Sequence, residues 1–175
     1  MQQYIFNSIK RNNYIEISKA LSLLYDNDKP VIVCIGSDLV VGDSLGPYVG
    51  TMLNEKLKGK AFVYGSLNSP ITAKEVSVIE RDIKNLHPNS KIIVIDAAVG
   101  NSYEVGYVKI LDKGIKPGLG VKKDLPRIGD VSIIGIVSDM ENSSAFLTRF
   151  SLVYKLANDI VEGVIYMVEN LYRYK

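Results

Sequence analysis

The apolar positions along the chain switch between two periods. Tyr14, Ile17, Leu21, Leu24 and Tyr25 recur at helical spacing and predict a helix over 11–25. Pro30 bars its continuation. Val31-Ile32-Val33-Cys34-Ile35 then forms a short unbroken run rich in β-branched residues, the pattern of a parallel strand covered on both faces. Leu45, Val49, Met52, Leu53 and Leu57 return to helical spacing over 44–58, and Ala61-Phe62-Val63-Tyr64 makes a second short strand closed by Gly65. Ser69 and Pro70 read as the cap and first position of a third helix, with Ile71, Val76, Ile79, Ile83 and Leu86 inward. Lys91-Ile92-Ile93-Val94-Ile95-Asp96 is a third buried strand.

The pattern then changes. Residues 103–111 alternate loosely and predict a strand antiparallel to the others, while 114–129 hold four glycines and two prolines and predict a long loop. An apolar strand follows over 131–137. From 143 to the end, apolar positions at helical spacing predict a long final helix with a kink near Gly163. Alternating strands and helices with right-handed crossovers imply an α/β three-layer sandwich. The expectation is one domain over 1–175, a mostly parallel twisted sheet flanked by helices, with a helical extension over 1–28. Ligands in such folds sit beyond the carboxyl ends of the strands.

Composition narrows the function without naming it. Net charge is +2, and the basic residues are interspersed with acids rather than gathered in a stripe. That argues against nucleic acid and anionic membrane as partners. Cys34 is the sole cysteine and lies inside an apolar run, which excludes an internal disulfide and a cysteine zinc site. The start is too polar for a signal peptide, and Arg149, Lys155, Asp159, Glu162 and Glu169 interrupt the apolar final segment. A cytoplasmic protein without a cofactor is the expectation, with a homodimer if the final helix is left uncovered. His87, the sole histidine, falls at a helix end on the wrong side of the sheet, so a Ser-His-Asp or Cys-His site has no base.

Three loops carry candidate chemistry. The first contains Gly36, Asp38, Gly42 and Asp43, and Asp43 stands at a helix start where position alone favours a capping role. The second follows Asp96, a carboxylate that ends an apolar strand and precedes the small residues Ala97, Ala98 and Gly100. If the two strands are neighbours, Asp43 and Asp96 face one pocket. They would then share a proton, one acting as base and the other as acid. Amides near Gly36, Gly42 and Gly100 are candidates to bind an oxyanion. The third loop brings Gly118, Gly120 and Lys122 as candidate substrate contacts, with Lys123 and Arg127 able to meet a carboxylate.

These motifs carry a family resemblance. Gly42-Asp43-Ser44-Leu45-Gly46-Pro47 and Ile95-Asp96-Ala97-Ala98 resemble the two aspartate elements of the spore germination protease. Tyr64-Gly65-Ser66-Leu67, residues 117–121 and residues 125–132 extend the likeness to its small relatives, the YyaC-like family. The resemblance implies a phosphorylase/hydrolase-like fold, shared with hydrogenase-maturation endopeptidases. It also implies an aspartate-dependent peptidase of a spore-forming bacterium, acting in the mother cell or forespore on a peptide or small spore protein. Asp43 and Asp96 inherit the catalytic positions. Two alternatives stay open: a non-catalytic protein that binds a peptide in the same cleft, and a metal-binding relative using Asp38, Asp43 and Asp96. The chain departs from its relatives in two places. No histidine follows Asp96 to sense nickel, and Ile71-Thr72 stands where the family often has Val-His.

Overall fold

The computed structural model describes residues 2–26, 29–117, 127–139 and 148–173. Six strands form one sheet in the order β1-β5-β6-β4-β2-β3. Along the chain the elements are β1 (Gln3–Asn7), α1 (Tyr14–Leu24), β2 (Val31–Cys34), α2 (Leu45–Leu57), β3 (Phe62–Tyr64), α3 (Val76–Leu86), β4 (Ile92–Gly100), β5 (Tyr107–Leu111), β6 (Val131–Asp139) and α4 (Phe150–Arg173). Strands β3, β2, β4 and β6 run parallel, while β5 is antiparallel to both β6 and β1.

Side-chain alternation on the parallel strands builds two cores. Ile32, Cys34, Ile93 and Ile95 point to one face, where they meet α1, α2 and α4. Val31, Val33, Ile35, Ile92 and Val94 point to the other, where Val76 and Ile83 of α3 cover them together with Ile115 and Ile128. Both faces are therefore buried, which is why these runs are continuously apolar in sequence. The three-layer α/β expectation holds.

Several local expectations need correction. The stretch over 1–28 is not all helical, because β1 forms an edge strand on β5. Helix α3 starts at Val76 rather than at Ser69 and Pro70. Ile71 instead forms a parallel bridge to Ile35 and is buried there, and the Glu75 carboxylate then accepts the Thr72 N–H (3.0 Å) to close a turn before the helix. Leu86 faces solvent rather than the core. Strand β4 continues past Asp96 to Gly100, since β6 offers it a partner along that whole length. Helix α4 runs on through Gly163, where a side chain would strike Ile17 of α1. The predicted start of this helix over 143–147 lies outside the described residues.

Three glycines set how closely α2 approaches the sheet. A Cβ at Gly46 would run into the carbonyl oxygen of Ile35, and one at Gly50 into that of Gly65. Gly65, with φ of +86°, itself lies on the carbonyl of Cys34. Helix backbone thus rests directly on strand-end backbone, a contact open only to residues without a side chain. Gly46→Ala and Gly50→Ala should each destabilise the fold by about 2–3 kcal/mol, because the obstacle is rigid backbone. Urea unfolding checks this against Leu23→Ala, at an exposed position, which should change the midpoint little.

Candidate active site

The close seating of α2 brings its leading turn over the end of β2. The chain leaves β2 at Gly36, whose φ of +139° turns it sharply, and a Cβ there would meet the Asp43 carbonyl oxygen. The loop closes on itself through Ser37 N–H to Asp43 C=O (3.2 Å) and Ser44 N–H to Val40 C=O (3.1 Å). A 3₁₀ turn, Gly42–Ser44, then feeds α2. Neither helical start has a side-chain cap hydrogen bond, so the capping role that position alone favoured for Asp43 is not the one it plays.

Asp96 occupies the neighbouring strand at the level where β2 ends. The ladder runs up to Cys34 opposite Ile95, and Ile35 N–H donates to Ile95 C=O (2.8 Å). Beyond that level β2 has turned away while β4 continues beside β6, so Asp96 borders the space that β2 has vacated. The chain from β2 proceeds to β3 on one side, and the chain from β4 proceeds to β5 and β6 on the other. This is a switch point, where the two connections diverge, the place at which open α/β sheets ordinarily form a ligand crevice. Asp43 and Asp96 flank it.

Their electrostatics are coupled. Asp96 is only 8% exposed and accepts one hydrogen bond, from the adjacent Ala97 N–H (2.8 Å). Burial pushes its carboxyl well above the usual range, and the nearby Asp43 charge pushes it further. Asp43 is half-buried, and burial raises it too, opposed in part by the Ser37 amide. Both carboxyls are thus shifted toward the protonated form, the buried Asp96 more strongly than Asp43.

The other anticipated residues divide. Gly36 and Gly42 are buried in the loop that carries Asp43. Asp38 is exposed on the outer part of that loop. Gly100 ends β4 four residues past Asp96, roughly 13 Å along a strand. It is packed against Ile136 and Glu104, so its expected place beside the pair is not borne out. Gly118, Gly120 and Lys122 lie outside the described residues, as does Lys123. Arg127 bonds the Gly114 carbonyl. Among the described residues, no three His, Cys, Asp or Glu side chains gather as a metal cage.

His87 follows the C-terminal end of α3, the helix end expected from the sequence. Its Nε2 pairs with the Tyr64 hydroxyl (2.7 Å), and its ring lies 4.4 Å from that of Phe62. Cys34 is fully buried and its thiol is pushed far up by burial, which leaves it inert. The sequence reading missed the backbone contact that holds Asp43 in place. Its visible signal was the four-residue spacing of Gly46 and Gly50 on one helix face.

Two aspartates thus stand at the switch point of a six-stranded sheet with a phosphorylase/hydrolase-like fold. The chain belongs to the family described as "Protein of unknown function (DUF1256)", whose model matches residues 5–163. It is 43% identical over 141 residues to "Uncharacterized protein YyaC" of Bacillus subtilis (strain 168), a match covering 77% of this chain and 67% of that one. In architecture it is similar to the [NiFe] hydrogenase maturation protease HycI from Thermococcus kodakarensis KOD1. The TM-score is 0.59 at 18% identity, over 86% of this chain and 99% of HycI.

The raised Asp96 pKa carries a sign for stability. Above the ordinary Asp value of about 4, the unfolded chain releases a proton that the folded chain retains, so stability falls as pH rises through the native value. Asp96→Asn removes this opposition. It should raise Tm at pH 7 by about 3 °C or more, the shift that roughly one kcal/mol produces in a chain of this size. The gain should shrink as pH falls through about 4 and vanish at about pH 2 to 3, where the carboxyl is protonated in both states. Thermal melts across that range would contradict the assignment if the Asn variant were less stable throughout.

Proposed function

We propose that this protein is a peptidase that hydrolyses peptide bonds with Asp43, Asp96 and water. The observation that carries the reading is the placement of two aspartates at one switch point, Asp96 buried just past the last β2–β4 rung and Asp43 on the loop that leaves β2. The protease named for the similar HycI fold supports the reaction class, as does the resemblance of both aspartate motifs to the germination protease.

In this reading Asp96, whose carboxyl burial shifts toward the protonated form, donates a hydrogen bond to the scissile carbonyl. Asp43, ionised, accepts a proton from water as its oxygen attacks the carbonyl carbon. The carbonyl π electrons move to oxygen and give a tetrahedral intermediate. Gly36 N–H is already given to Ile71 C=O (2.9 Å), so of the two glycines expected to meet the negative oxygen only the Gly42 amide stays a candidate. Asp43 then passes its proton to the departing nitrogen, the C–N bond breaks, and the products are an acid and an amine. No covalent enzyme intermediate forms.

The substrate reading follows from kinship. The resemblance of residues 42–47 and 95–98 to the aspartate elements of the germination protease supports a place among sporulation proteins, acting inside the mother cell or forespore on small spore proteins or peptides. Among the described residues no helix is long and apolar enough to cross a membrane, which agrees with a substrate met in aqueous solution.

The test is cleavage of small acid-soluble spore proteins, and of a mixed peptide library, by the purified chain and its Asp43→Asn and Asp96→Asn variants. Each variant should lose about 10²–10⁴-fold in kcat/KM while keeping its fold, the range for a positioned acid or base. A parent that binds library peptides but never cuts them would replace the peptidase with a peptide-binding protein.

A further inference from the structure

The edge of the sheet at β1 presents a row of backbone groups that no strand pairs among the described residues. Asp112 N–H donates to Gln2 C=O and Ser8 N–H to Gly106 C=O, both at 3.0 Å. Each bond joins residues directly opposite in the register, so the even-numbered residues of β1 exchange hydrogen bonds with β5. The N–H and C=O groups of Gln3, Ile5 and Asn7 therefore point away from the sheet. Asn7 C=O accepts the Asn13 side-chain amide (3.0 Å). Among the described residues, β5 is the only strand that pairs β1.

Exposed edges are ordinarily blunted by charge, proline, a bulge or shortness. The segment Gln3-Tyr4-Ile5-Phe6-Asn7 has no charge and no proline, and its five-residue register is unbroken. Ile5 is 51% exposed at its centre. The opposite edge is different. Strand β3 has three residues, and the Lys29 ammonium stands over the Phe62 ring at 3.9 Å.

We propose that β1 pairs antiparallel with β1 of a second copy, about a two-fold axis at Ile5, joining two sheets into one. The segment is complementary to itself under that rotation. Ile5 faces Ile5 and exchanges two hydrogen bonds, Gln3 faces Asn7 on each side, and no like charges oppose. A neutral strand that satisfies its own row needs no other partner chemistry. Strands β5 and β6 separate this edge from β4, so the crevice at Asp43 and Asp96 stays open, and the dimer stands whether or not the chain is a peptidase.

Sedimentation equilibrium on the full chain tests this, with Ile5→Pro and Ile5→Lys as variants. Proline at 5 removes an outward N–H and leaves the β5 ladder intact, which an edge position tolerates. Lysine sets two charges against each other across the axis. The parent should dimerise with concentration, and each variant should weaken the dimer by about tenfold or more, roughly 1.4 kcal/mol. A short bismaleimide should cross-link Ile5→Cys but not Leu23→Cys on exposed α1, and Cys34 is too buried to interfere. A parent that stays monomeric, a dimer unchanged in both variants, or equal cross-linking at 5 and 23 would overturn the proposal.

Discussion

The backbone contact between α2 and the ends of β2 and β3 governs where everything else at this end of the molecule can lie. Gly46 against Ile35 and Gly50 against Gly65 bring helix and strand to a separation that any side chain would widen. With the helix seated there, the turn ahead of it has little freedom. Gly36 must reverse the chain, and the loop closes through Ser37 and Asp43. Asp43 is thus held by main-chain geometry upstream and downstream of it. A carboxylate positioned by such contacts does not depend on a salt bridge for its placement, and its charge remains available to the crevice.

Sheet topology supplies the second half of the arrangement. Because β2 stops at Cys34 while β4 continues to Gly100, one strand outruns its neighbour. Asp96 lies just past the last shared rung. A polar side chain earlier on β4 would be pressed into the α3 core with Ile92 and Val94. One much further along would leave the crevice, as Gly100 does. The position combines strong desolvation with access to Asp43, and that combination separates the two proton affinities.

Much of this was legible in the chain. Strands β2, β4 and β6 declared themselves because burial on both faces demands unbroken apolar runs, and the two aspartates stood out as acids beside such runs. The misses have physical causes. The residues of β1 gain their strand character from pairing with Tyr107–Leu111, about a hundred positions away, and no local period records that partner. Ser69-Pro70 is a sound local helix start, yet the pairing of Ile71 with Ile35 holds the chain extended there. Gly100 was placed near Asp96 on the premise that the strand ended at Asp96, and β6 carried it further. The coupling of Asp43 to Asp96 needed strand order, which periodicity does not encode.

The contrast between Asp96 and Asp159 bears on why Asp96 is present. Asp159 is also buried, but it accepts the Asn13 backbone N–H (3.3 Å) and side-chain amide (3.4 Å) at the start of α1. It satisfies a helix terminus and so has a structural explanation. Asp96 joins no ion pair among the described residues, and its one hydrogen bond comes from the next residue in the chain. A buried carboxyl so placed opposes folding at neutral pH and ties no two elements together. An apolar or amide side chain would serve the core better there. Packing and helix capping therefore do not explain Asp96 as they explain Asp159.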